Sequence, residues 1–166
     1  MTTVIDGTTG IDKVKDGSIV QADLGPNVAG NGPAFSAYSS INQNIPLSTD
    51  TIVLFDAKQF DLSNAYNPAT GRFQPTMAGY YQLNAGLEIS VSGMSLGSGS
   101  IRKNGTIIVY LGTLSVAFTG LPHRISGACL AYLNGTTDSV DVAAYGVGNS
   151  GAAVAGTFSG FLARAA

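Results

Sequence analysis

Residues able to do chemistry are few in this 166-residue chain, which has one histidine, His123, and one cysteine, Cys129. A single histidine cannot supply a multi-histidine metal site, and His123, just after Leu121-Pro122, reads as an ordinary loop residue. No Gly-x-Ser-x-Gly frame marks a nucleophile elbow at a strand-to-helix turn, and Gly97-Ser98-Gly99-Ser100 reads as a flexible glycine-serine loop. No Gly-x-x-x-x-Gly-Lys-Ser/Thr frame is present to cradle a phosphate. Cys129 lies in an apolar strand-like run and reads as a small packed hydrophobe. Alone, it forms no intramolecular disulfide framework. Asp138 and Asp141 flank a strand start and carry no EF-hand pattern, so they read as surface carboxylates, with a cation beside them left open. With so few general acids and bases, the sequence predicts a protein that is not an enzyme, with no catalytic, cofactor-binding or metal residues.

Composition narrows the class further. Charged residues make up 11% of the chain, against about 25% in ordinary soluble domains. Hydrophobic residues reach 45%, so the chain is neither disordered nor a coiled coil. The net charge is −2, and Arg102-Lys103 is the single adjacent basic pair, so nucleic acid is not an expected partner. No apolar run approaches the roughly 18 residues of a membrane span, so no membrane insertion is expected. Met1-Thr2-Thr3-Val4-Ile5-Asp6 lacks the basic head and apolar stretch of a secretory signal, and the expectation is synthesis without export by that route.

The elements that must position any site are strands. Tyr81, Leu83, Ala85, Leu87, Ile89 and Val91 occupy alternate positions, with Gln82, Asn84, Glu88 and Ser90 between them. That period of two puts one face in a core and the other toward a wetter surface. Gly86 within this strand predicts a bulge or a close backbone approach. Asn104-Gly105 and Asn134-Gly135 each separate strand-like runs and predict tight hairpins. No segment sustains a helical period, and many short strands with glycine-rich turns predict an all-β antiparallel two-sheet sandwich or jelly roll. Ile52-Val53-Leu54-Phe55 and Ile107-Ile108-Val109-Tyr110-Leu111 are apolar on both faces, which predicts an inner sheet covered by another subunit.

Residues 1–32 differ from the rest. They hold six charged residues and no aromatic, and they end in Gly25-Pro26 and Gly30-Asn31-Gly32-Pro33. Such a segment buries little surface alone. It reads as a disordered tail or as an anchoring arm that orders against a partner or its own copies, with a head over residues 33–166.

Within that head, Tyr66-Asn67-Pro68-Ala69-Thr70-Gly71-Arg72-Phe73 is followed by Pro75, Gly79-Tyr80-Tyr81 and the closing Thr157-Phe158-Ser159-Gly160-Phe161-Leu162. Together with Phe35 at the opening and Lys103-Asn104-Gly105 in the middle, this ordered set resembles the globular head of the complement component 1q family, which shares the jelly roll of tumour necrosis factor. The resemblance covers about residues 33–166. It identifies Phe35, Tyr66, Asn67, Pro68, Thr70, Gly71, Phe73, Gly79, Tyr81, Asn104, Gly105, Phe158, Gly160 and Phe161 as fold-signature residues with structural roles as turn and core positions. It implies a homotrimer about a three-fold axis, burying well over about 2,000 Å² in all. Some members of the family carry acidic loops that hold cations, which is the reason to watch Asp138 and Asp141.

The arm sequence Ile11-Asp12-Lys13-Val14-Lys15-Asp16-Gly17-Ser18-Ile19-Val20-Gln21-Ala22-Asp23-Leu24 resembles neck segments of bacteriophage tail and fibre proteins. The two resemblances together imply a virion structural protein assembled in the host cytoplasm. Its arm would contact other virion proteins, and its head would be a capsid decoration, a head fibre or a tail-fibre tip. The loops at Ser92–Ser100, Ala117–Arg124 and Gly146–Gly151 would face a host-surface glycan or protein. The rival expectation is a free secreted lectin-like or signalling module with the same trimeric head.

Overall fold

The computed structural model describes residues 32–90, 96–114, 122–148 and 152–166. Residues 1–31 of the arm therefore lie outside the described residues, as do 92–95, 117–121 and 149–151 of the three loops named above, whose other residues fall mostly in strands and not in loops. The described chain is all strand and turn: β1 (Ala34–Tyr38), β2 (Gln43–Ile45), β3 (Thr51–Ile52), β4 (Ala57–Asp61), β5 (Tyr66–Asn67), β6 (Arg72–Phe73), β7 (Gly79–Ser90), β8 (Leu96–Lys103), β9 (Thr106–Leu114), β10 (His123–Leu133), β11 (Val140–Val147) and β12 (Ala152–Ala165). Every pairing is antiparallel. One sheet runs β10-β7-β12-β1-β4, with β2 also on β12; the other runs β5-β6-β11-β8-β9, with β3 also on β11. From β9 onward the chain changes sheet at each connection. This is the antiparallel two-sheet jelly roll that the strand pattern predicts.

The alternation on β7 explains the core. Tyr81, Leu83, Ala85, Leu87 and Ile89 are all buried, while Gln82, Asn84 and Glu88 are half-buried on the opposite face. From the second sheet, Ile101, Val142 and Ala144 meet them. Phe35 anchors an aromatic cluster. It stacks on Phe73 at 4.3 Å and on Tyr66 at 5.2 Å between ring centroids, and meets Phe158 edge-on at 4.9 Å. These are the offset and edge geometries that aromatic quadrupoles favour. Tyr66 stays satisfied in this apolar setting because its hydroxyl donates to the Phe55 carbonyl at 3.1 Å.

Turn chemistry fixes the ends. Asn104 (φ 51°) and Gly105 (φ 80°) form the two-residue turn of the β8–β9 hairpin, with Lys103 opposite Thr106. Asn67 closes the turn between β5 and β6. Its side chain accepts from the Ala69 N–H at 2.9 Å, and its carbonyl accepts from the Gly71 N–H at 2.9 Å.

Four expectations are corrected. First, Asn134-Gly135 does not form a hairpin, because β10 pairs with β7 and β11 pairs with β8. The turn instead carries the chain between sheets, wrapped around the Asn134 side chain, whose Oδ1 accepts from the N–H groups of Thr136, Thr137 and Asp138. Second, Gly97-Ser98-Gly99-Ser100 is not a loop but part of β8. Glycine is needed at 99: a Cβ there would lie 2.7 Å from Leu87 and 2.9 Å from Ile125. Third, His123 begins β10 instead of lying in a loop. Fourth, the segments apolar on both faces lie in the second sheet, and another subunit is not the only thing that covers them. Ile52 and Leu54 lie against Gly71, so the chain's own β5–β6 turn partly covers their outer side, while Ile108 and Tyr110 on β9 stay exposed. At Gly86 the strand pairing runs on without a shift, and the close-approach half of that expectation applies: the Gly86 carbonyl occupies the place a Cβ on Gly156 would take.

Candidate functional site

The chemistry-bearing residues do not converge. Asp141 is almost fully buried and accepts from Arg102 Nε at 2.7 Å, with Arg72 Nε at 3.6 Å. Asp138 pairs with Lys103 Nζ at 2.8 Å and accepts from Asn104 Nδ2 at 2.7 Å and the Asn134 N–H at 3.0 Å. The hydrogen bonds from Lys103 and then Asn104 hold the Asp138 carboxyl below its ordinary 3.8. The two carboxylates, expected at the surface, are instead both buried, and each serves separate cationic side chains. Among the described residues, no three His, Cys, Asp or Glu side chains come together. Cys129 is half-buried on β10, and burial pushes its thiol above the ordinary 9.0. That direction makes it a poorer nucleophile at neutral pH.

What the fold does assemble is a surface: the outer face of the β10-β7-β12-β1-β4 sheet. Strand register defines it row by row, because direct antiparallel partners share a face. At one end Tyr132 stands opposite Tyr80, their rings 5.5 Å apart. The next row is Leu130, Gln82, Phe161 and Ala34. Leu130 is 59% exposed and Phe161 48% exposed. Ala128, Asn84, Ser159, Ser36 and Phe60 follow, then Ser126, Gly86, Thr157 and Tyr38. At the far end Arg124 Nη2 meets Glu88 Oε2 at 2.8 Å. Small residues in the middle rows leave a groove of about 510 Å³ between Tyr38, Arg124 and Ser126. Lys103 donates to the Tyr132 carbonyl at 2.8 Å and lies 5.7 Å from its ring centre, which steadies the aromatic end.

The fold-signature residues divide between the two faces. Phe35, Tyr66, Phe73, Tyr81 and Phe158 are buried, while Asn67, Pro68, Thr70 and Gly71 build the β5–β6 turn. Gly79 starts β7, and Gly160 pairs with Leu83 and Phe35. Phe161 points out of the core onto the exposed face. Leu130, Tyr132 and Phe60 were missed as surface residues by the sequence reading. A signal was present for β10: Cys129-Leu130-Ala131-Tyr132-Leu133 is apolar at every position, so no choice of facing can hide it all.

A two-sheet antiparallel jelly roll with an exposed mixed face defines a β-sandwich head domain. A family model described as "C1q domain" matches residues 34–163, and the chain belongs to the C1q domain family. Among solved structures it is similar to the globular domain of zebrafish complement 1qA, at 19% identity and a TM-score of 0.58, covering 81% of this chain and 98% of that one. The Eiger TNF of S. frugiperda follows at 13% identity and a TM-score of 0.51, covering 81% of this chain and 92% of that one. PRD1 vertex protein P5 is similar at 10% identity and a TM-score of 0.52, covering 78% of this chain and 96% of that one. These likenesses concern the fold. No curated protein matches the chain in sequence.

Proposed function

We propose that this protein is a bacteriophage virion structural protein. Residues 33–166 form a homotrimeric, outward-facing knob, and residues 1–32 anchor it to other virion proteins. It works by binding, not by catalysis. The observation that carries the proposal is the exposed sheet face, where Tyr80, Leu130, Tyr132, Phe161 and Phe60 stand on one surface. Burying a large apolar side chain contributes about 1.5–3 kcal/mol, so a face with several of them favours a partner. Two further copies of the chain about a three-fold axis supply one with no new sequence. The arm's Asp16-Gly17-Ser18-Ile19 neighbourhood, similar to fibre necks, favours a virion setting. The fold itself serves at a virion in the PRD1 vertex protein.

The C1q domain match also suits a free lectin-like or signalling module, and one experiment separates the two. Antibodies against residues 33–166 are applied to particles of the phage encoding the protein, and the particles are imaged. Label on the shell means capsid decoration or a head fibre, and label at the tail means a fibre tip; either upholds the virion reading. Bare particles, with the protein free in the cleared lysate, overturn it in favour of the module.

A further inference from the structure

The groove on the outer face of the second sheet is separate from the proposed subunit interface, and nothing in the knob reading uses it. It encloses about 360 Å³ across β11, β8 and β9, at the lower end of the range for small-molecule sites. Register brings its lining together. Tyr145 stands opposite Ser98, which stands opposite Thr113, and the next row is Ala143, Ser100 and Tyr110. Ala143 and Ser100 are small and buried, so they make a floor. Tyr110 is 63% exposed and forms one wall, Tyr145 forms the other, and Asp50 lies at the rim.

We infer that this groove binds a neutral saccharide. Two tyrosine rings offer flat apolar faces with polar tips, the combination that packs against a sugar ring while bonding its hydroxyls. The Ser98, Ser100 and Thr113 hydroxyls can each donate and accept, and the Asp50 carboxylate accepts twice over. Among the described residues, no side-chain hydrogen bond engages Asp50, Ser98, Tyr110, Thr113 or Tyr145. Their polar atoms thus remain available to a ligand rich in hydroxyls. Among the described residues no cationic side chain lines the groove, and Asp50 would repel an anion, so phosphates and acidic sugars do not fit. Two strand spacings and two residues separate the tyrosines, roughly 12 Å between Cα atoms. If three chains assemble through the opposite sheet, the groove is presented three times, and weak single contacts add up by avidity.

Saturation-transfer NMR on the full chain tests this with D-glucose, D-galactose and N-acetylglucosamine, and with choline and inorganic phosphate as controls. The inference expects transfer to ring C–H protons of at least one sugar. The signal should be lost in Tyr110→Ala, weakened in Asp50→Asn and kept in Tyr110→Phe. Both positions are exposed, so the variants keep the fold. No transfer from any of the three sugars, equal transfer in Tyr110→Ala, or transfer to choline alone overturns it. Light scattering on the same samples keeps the readings apart, since sugar binding by a monomer would uphold the groove and sink the trimer.

Discussion

At the scale of the residue, two positions show how little freedom the fold leaves. Gly71 has φ +68°, and a Cβ there would lie 2.7 Å from the Val53 carbonyl oxygen. Gly71→Ala should lower stability by at least about 1–2 kcal/mol from the left-handed angle alone. A urea midpoint unchanged at constant m-value would show that the turn does not need glycine. Asp138 is the second. Its carboxyl is held below 3.8 by the Lys103 and Asn104 hydrogen bonds, so the folded state favours the anion. A depressed carboxylate contributes fully above 3.8 and loses its contribution as pH falls below that value. Stability should therefore drop on acidification through this window, and Asp138→Asn should flatten the drop. Asp56, held low by its hydrogen bonds from Ser40, preserves part of it. A variant with the same acid profile as the parent would remove Asp138 from the explanation.

At the scale of the element, one side chain joins what the ladders do not. Gln43 on β2 donates from Nε2 to the Ile52 carbonyl at 3.0 Å and accepts from the Leu54 N–H at 2.7 Å. It acts as a stretch of β ladder between a strand of the first sheet and the residues of β3 in the second. Gln43→Leu should leave both backbone groups unpaired, at about 1–3 kcal/mol each. Hydrogen exchange at the Leu54 amide should accelerate in that variant, and unchanged exchange would contradict the bridging role. Elements were legible in the sequence wherever burial is one-sided. β7 declared itself because its outward positions are polar and its inward ones apolar. Asn104-Gly105 was legible because its flanking strands are neighbours in one sheet. Asn134-Gly135 carries the same dipeptide, but its flanking strands belong to different sheets, a long-range fact that a local turn signal cannot hold. Gly97-Ser98-Gly99-Ser100 looked like a loop because small residues are read as flexible. Here Gly99 is small because Leu87 and Ile125 press on it from the other sheet.

At the scale of the whole molecule, the decisive feature is which apolar surface a single chain leaves uncovered. The sequence showed that there is too much of it. It pointed to Ile52–Phe55 and Ile107–Leu111; Ile108 and Tyr110 are exposed as that pattern implies, Ile52 and Leu54 are half-buried, and the fold also exposes Leu130, Tyr132, Tyr80, Phe161 and Phe60 on the opposite sheet. Ile52 and Leu54 are partly covered by the β5–β6 turn, a contact between segments that no strand pattern contains. If copies of the chain cover the remaining face, charge placed on it must break the assembly while sparing the core. Phe161→Glu with Leu130→Glu should give a folded monomer, because both side chains point away from the core. The most direct test is the mass of the unaltered chain in solution, by light scattering across a wide dilution series. The account predicts three times the 16.9 kDa of one chain, persisting on dilution; a mass of one chain at every concentration would contradict it.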